Sequence, residues 1–243
     1  MKTKISFGVR AVAALTVVAA PLAASASFDG PALTVTATNS FGTGSWAVSL
    51  DEFRFNSAND SYVWSLNGPV DIKNQSGDVI ATLGGANAYY QEDPVIALGF
   101  LVQAGASDTH FTINSSLLSF STINPAQGQV SAGTSLTDVD GDGAKIDAGG
   151  KLYGAYTNGF LTNLFQGLVD GSNAGSGGTA TTNESFGFSP IAGGVSDMSS
   201  RWDFTLSAND MASGTSRYEV VPEPVTLVAF GLAALALKRR KQA

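Results

Sequence analysis

Asp138-Val139-Asp140-Gly141-Asp142-Gly143 places carboxylates at alternate positions beside glycines. The first half of a calcium loop presents hard oxygen ligands in this way and uses glycine for its sharp turn. The second half departs from that pattern, because the twelfth position counted from Asp138 is Gly149, where an EF-hand needs a bidentate glutamate. Asp147 is placed to complete a shorter loop, so the candidate calcium ligands are Asp138, Asp140, Asp142 and Asp147. The competing reading is a polar turn in which Asp and Gly only satisfy backbone geometry. His110 is the single histidine and no Gly-x-Ser-x-Gly elbow is present, which leaves a Ser-His-Asp triad or a histidine zinc site with little to build on. His110 reads instead as a strand residue beside Phe111, and no catalytic residue is assigned.

Glycoside chemistry requires two carboxylates across a cleft. Glu52, Glu92, Glu184 and Glu219 are available together with many aspartates, but their spacing singles out no pair. Sugar binding without cleavage requires exposed aromatic faces. Trp46, Trp64 and Trp202 sit at alternating positions that favour the core. Tyr89 and Tyr90 precede the loop-like Gln91-Glu92-Asp93-Pro94 and are the candidate ligand-binding aromatics.

These residues need a scaffold, and the periodicity predicts one of strands. Leu33, Val35 and Ala37 share a face, as do Trp46, Val48 and Leu50. Alternation continues through Val70–Ile72, Val79–Leu83, Val95–Val102, Phe111–Ile113, Leu117–Ile123, Leu152–Tyr156, Trp202–Leu206 and Tyr218–Val220. Turn material such as Asn67-Gly68-Pro69, Ser76-Gly77-Asp78 and Gly149-Gly150 separates them. The expectation is an all-β antiparallel sandwich, jelly-roll or immunoglobulin-like. Phe160, Leu161, Leu164, Phe165, Leu168 and Val169 fall on one helical face and predict one short helix capping the sheets, with Gly167 against it. Gly171 to Asn183 has no side chain to anchor it and reads as a surface loop or a linker, the loop being preferred.

Positive charge is concentrated at the two ends of the chain. Positions 27–219 hold six Lys and Arg against nineteen Asp and Glu, a net charge of 6 − 19 = −13. Such a body repels nucleic acid and anionic lipid and attracts cations. With no cysteine in the chain, disulfides, thiolate metal sites and a cysteine nucleophile are excluded.

At the front, Lys2, Lys4 and Arg10 precede an apolar run from Ala11 to Leu22, and Ala24-Ser25-Ala26 supplies the small residues that signal peptidase accepts. This predicts a secretory leader over 1–26, handled by the Sec machinery, with the mature chain starting at Ser27. At the back, Val221-Pro222-Glu223-Pro224 leads into an apolar run from Val225 to Leu237 that stops at Lys238, Arg239, Arg240 and Lys241. The basic cluster stays on the cytoplasmic side, so the run is a stop-transfer transmembrane helix. At 1.5 Å per residue it spans roughly 20 Å, short of the roughly 30 Å hydrocarbon core, and so suits temporary retention in the inner membrane. Pro222 and Pro224 bias Val221 and Glu223 towards extended backbone.

This motif, helix and basic tail over 220–243 closely resemble the PEP-CTERM sorting signal of Gram-negative surface proteins, the substrates of exosortase. The resemblance implies recognition at Pro222-Glu223-Pro224, removal of the helix, and delivery to the cell surface or extracellular matrix. It also implies an association with exopolysaccharide and biofilm. For 27–219, the exported sandwich domain, Thr137 to Asn158 is only loosely similar to bodies of PEP-CTERM proteins and identifies no activity. The first expectation is therefore a non-enzymatic, secreted, structural or adhesive protein. A carbohydrate-binding module is the alternative, and a glycan-active hydrolase is third.

Overall fold

The computed structural model describes residues 27–223, and these build two antiparallel sheets packed as a β-sandwich. The strands are β1 (Ser27–Asn39), β2 (Gly42–Val48), β3 (Arg54–Asn56), β4 (Ser61–Ser65), β5 (Val70–Lys73), β6 (Val79–Gln91), β7 (Val95–Ala104) and β8 (Thr109–Ile123). They continue with β9 (Ala126–Thr137), β10 (Ala144–Asp147), β11 (Tyr153–Thr157), β12 (Asn163–Leu168), β13 (Ser172–Ala174), β14 (Thr179–Ile191), β15 (Val195–Leu206) and β16 (Met211–Pro222). One layer has the order β12-β11-β15-β8-β1-β2, with β10 joined to β15 and β13 to β10; the other has β14-β9-β16-β7-β6-β4-β3, with β5 joined to β6.

Two runs of three strands cross between the layers. β7, β8 and β9 alternate sheets, as do β14, β15 and β16. The runs interlock because β15 pairs with β8 in one layer while β16 lies between β7 and β9 in the other. Alternation then delivers the core. Along β16, Ala212, Tyr218 and Val220 are buried while Arg217 is exposed. Phe100 reaches across from β7 to Trp202 and Phe204 of β15, with ring centroids 5.3 and 5.6 Å apart. Gly214 stands opposite Phe100, where a Cβ would meet the ring.

The expected short helix is corrected to a strand. Residues 163–168 form β12, an edge strand paired to β11, and no α-helix occurs among the described residues. Gly159 at φ 122°, Leu161 at 52° and Val169 at 66° bracket the segment with backbone that no helix admits. Its amides join the β11 ladder instead, leaving Leu164 exposed and Phe165 against Phe186 and Tyr218. The glycine-rich stretch is also more ordered than its composition suggests. Ser172–Ala174 pairs with β10, and from Thr179 onwards β14 pairs with β9. Main-chain bonds need no anchoring side chain, and Asp138 N–H donates to Gly178 O at 3.0 Å.

Ser27 pairs with Ser119 on β8, Pro222 pairs with Ala126 on β9, and these lie on either side of the Asn124-Pro125 turn. Both ends of the described chain therefore emerge at the same end of the sandwich. The loop after Thr137 and the β15–β16 turn lie at the opposite end.

Candidate functional sites

The acidic loop folds back on a turn that is distant in sequence. Asp138 closes the end of β9, and Asp210 closes the turn before β16. Carboxylate oxygens of Asp138, Asp142 and Asp210 lie within 4.8 Å of one another. Asp138 and Asp210 are buried, at 5% and 0% exposure, and Asp142 faces solvent. Main-chain amides hold the buried pair. Asp138 accepts from Gly177 N–H and, at 3.0 Å, from Gly141 N–H, while Asp210 accepts from Val139 N–H at 3.1 Å and from the Ser207 hydroxyl.

Electrostatics divides the group. The Gly177 amide, with help from Gly141, holds the Asp138 carboxyl below its ordinary range. Asp142 shares a hydrogen bond with Asp140 and faces the charges of Asp140, Asp138 and Asp210, which lift it above that range.

Of the four residues expected from the sequence, the structure brings Asp138 and Asp142 together. Asp140 stands beside them and accepts from Asn209 at 3.0 Å. Asp147 belongs to a different feature: it ends β10, accepts from Gly149 N–H at 3.0 Å and pairs with Lys145 at 3.1 Å. These contacts lower its carboxyl, the amide most. Asp210 was missed in the sequence because only the fold brings the turn Ser207–Asp210 to the 138–143 loop.

His110 sits on the outer face of β8, with Nε2 2.6 Å from Asp203 Oδ1, while Arg201 Nη2 holds Asp203 Oδ2 at 2.5 Å. Among the glutamates, Glu184 is engaged by Lys151 at 2.9 Å and Glu219 by Arg217 at 3.0 Å.

Aromatic residues form a second feature at the β3–β4 edge. Glu52, Phe53, Arg54, Phe55, Val63 and Trp64 line an open groove of about 890 Å³, and Glu52 is its single carboxylate. Trp64 packs on Trp46 at 5.5 Å and on Phe53 at 6.0 Å, and Phe55 on Tyr62 at 4.9 Å. Trp46 and Trp64 are half-buried against the core, and Trp202 is fully buried with Nε1–H donating to Ser216 Oγ at 3.1 Å.

The expected ligand pair Tyr89 and Tyr90 is corrected at Tyr90. Alternation on β6 turns Tyr90 inward to 0% exposure, where its hydroxyl donates to Ala32 O, and burial pushes its pKa well up. Tyr89 faces outward, half-buried, and donates to Gln91 Oε1 at 2.7 Å.

The motif expected from the sequence to be processed begins inside the fold. Val221 and Pro222 are the last residues of β16, beyond the expected boundary at 219, and Glu223 N–H donates to Pro125 O at 3.0 Å. Pro224, the expected stop-transfer residues Lys238, Arg239, Arg240 and Lys241, the expected cleavage residues Ala24 and Ala26, and the segments expected to form the signal and transmembrane helices lie outside the described residues. Among the described residues, no helix is long and apolar enough to cross a membrane.

No family model matches the chain, and no curated protein matches it. Among solved structures, it is similar to the adhesin domain of Epf from Streptococcus pyogenes, at 13% identity and a TM-score of 0.24, covering 70% of this chain and 57% of that one. It is also similar to the infectious bursal disease virus VP2 subviral particle, at 10% identity and a TM-score of 0.13, covering 86% and 72% respectively. The chain thus spans little more than half the length of the adhesin structure.

Proposed function

We propose that this protein is exported, held briefly in the inner membrane by its C-terminal segment, and processed by exosortase at Pro222-Glu223-Pro224. It is then delivered to the cell surface or extracellular matrix as a structural or adhesive component of exopolysaccharide. The observation that carries this reading is the pairing of a leader with a motif, apolar run and basic cluster at the other end of an acidic body. The geometry supports it. Ser27 and Pro222 leave the sandwich at one end, so a tether there turns the acidic loop and the β15–β16 turn outward. For the fold, the finer assignment within this reading is a jelly-roll or immunoglobulin-like sandwich, supported by the strands that cross between layers. Calcium at Asp138, Asp142 and Asp210 is its cofactor element, supported by converging oxygens of the type calcium takes.

Intact mass of the protein recovered from the native surface or medium tests the reading. The expected chain starts at Ser27 and ends near Pro222-Glu223-Pro224, and the triple variant Pro222→Ala, Glu223→Gln, Pro224→Ala keeps its tail. A wild-type chain retaining its tail through Ala243 would leave a membrane-anchored protein and remove the main support for a matrix role.

A further inference from the structure

We infer that the folded sandwich masks the start of its own processing motif, so that the end of β16 must unpair from β9 before an enzyme can take the motif up. This deepens the export reading above and rests on it for the enzyme. An enzyme that acts on a chain at a short motif holds that stretch as a single extended strand, through its amides and carbonyls. Backbone groups already bonded to a neighbouring strand are not open to a second partner.

The end of β16 is held in this way. Val220, Val221 and Pro222 are in register with Gly128, Gln127 and Ala126 of β9, and Glu223 N–H donates to Pro125 O at 3.0 Å. On the other side Glu219 pairs with Val95 of β7, and Val220 N–H donates to Pro94 O at 3.1 Å. Side chains add to the grip, since Val220 is 1% exposed and Ala126 is fully buried. Two of the three residues of Pro222-Glu223-Pro224 are thus fastened beside the β8–β9 turn. The hold is local and weak enough to open without unfolding the sandwich. Strand ends fray at low cost, and Pro222 has no N–H to give to β9.

The chain leaves no slack outside the fold. Only Glu223 and Pro224 separate the last residue of β16 from Val225, where the apolar run begins. Three steps of fully extended chain reach about 10 Å. The headgroup layer on one face of a bilayer takes up roughly 5–7 Å of that. With Val225 at the hydrocarbon boundary, the end of the sandwich that carries Ser27 and Pro222 rests on the headgroups. An active site enclosing Pro222-Glu223-Pro224 has no room between domain and lipid. Unpairing Val220 to Glu223 supplies it, because four more extended residues add about 14 Å. Folding of β16 and processing of the tail therefore compete for the same residues.

The test reconstitutes the folded full chain in vesicles with exosortase-bearing inner membrane and follows loss of the tail by intact mass. One variant carries an octapeptide of alternating Gly and Ser between Val221 and Pro222, which keeps the motif and the apolar run whole but moves them clear of the fold. It should lose its tail about tenfold faster than wild type or more, with melting little changed. The same octapeptide between Gly149 and Gly150, in the exposed loop after β10, should leave the wild-type rate. Hydrogen exchange in detergent reads the gate without the enzyme. The Glu223 amide should be protected in wild type and exchange at the free-chain rate in the Val221–Pro222 insertion. Equal rates of tail loss in wild type and that insertion, or a wild-type Glu223 amide exchanging at the free-chain rate, would overturn the gate. Tail loss in neither protein, with the Glu223 amide still protected in wild type, would instead remove the processing reading and the gate with it.

Discussion

The centre of the sandwich and its rim are built from the same aromatic residues on the same alternating spacing, yet they end in different states. At the centre, Phe100, Phe111, Tyr153, Trp202 and Phe204 form a continuous cluster between the layers, and the Trp202 and Tyr153 polar atoms are satisfied by Ser216 and Ser200. Burial holds the Tyr153 hydroxyl neutral, its pKa pushed up to about 12. At the rim, Trp64 packs on Trp46 and Phe53, and Phe55 on Tyr62, with similar closeness, but the group grades into solvent. Strand position makes the difference. A residue on β15 has strands on both sides and a sheet above it, whereas β3 is three residues long and ends its sheet. Close aromatic packing is therefore a sign of stability at the centre and of an available surface at the rim.

Truncation tests that contrast most strongly. Trp202→Ala opens a cavity among Phe100, Tyr153 and Phe204 and removes the Nε1–H that Ser216 accepts, and should cost about 3–5 kcal/mol, a large share of the roughly 5–15 kcal/mol that holds a domain together. Trp64→Ala removes a half-buried ring whose site can refill with water, and should cost about 1–2 kcal/mol. Urea unfolding of both variants is the measurement. Equal losses would show that the rim cluster is core after all, and the groove would lose its meaning as a surface.

Adding one methyl group probes the same contrast with a smaller effect. At Gly214 a Cβ would fall on the Phe100 ring, 2.5 Å from its Cζ, so Gly214→Ala should destabilise by about 1–3 kcal/mol through overpacking. At Gly187 on edge strand β14 no atom lies within 4 Å of the added Cβ. Gly187→Ala should stay within about 0.5 kcal/mol and lean towards stabilisation, since alanine restricts the unfolded chain. A thermal melt of each decides it.

The centre was also the part most legible in the sequence. Leu33, Val35 and Ala37, or Trp202 and Phe204, alternate without interruption, and the structure buries all of them. Legibility fell towards the rim, where local pattern competes with what the neighbouring strand needs. The helical stripe from Phe160 to Val169 is present in the residues, but β11 had an open edge and the segment filled it. Tyr89 and Tyr90 looked like one exposed pair until β6 ran past them and alternation sent them to opposite faces. The acidic motif was visible as a loop, but Asp210 was not, because nothing local joins it to Asp138. The polar turn Ser207-Ala208-Asn209-Asp210 was its only trace.

The smallest effect falls on the acidic end of the rim, where the sign matters more than the size. Because its neighbours raise the folded carboxyl of Asp142 above its unfolded value, the stability this residue contributes is present at low pH and lost as pH rises through the carboxylate range. Asp138 and Asp147 run the other way: their lowered carboxyls contribute above the ordinary carboxylate pKa and lose that contribution on acidification. At neutral pH in chelator, Asp142→Asn should therefore melt slightly higher than wild type, since it removes a repelled charge. Added calcium should reverse the order, raising wild type by linkage and leaving the variant nearly still. A wild-type melt indifferent to calcium and chelator would remove calcium from the proposal. A variant that melts lower than wild type in chelator would show instead that Asp142 serves the loop through its hydrogen bonds and that repulsion among the carboxylates is minor.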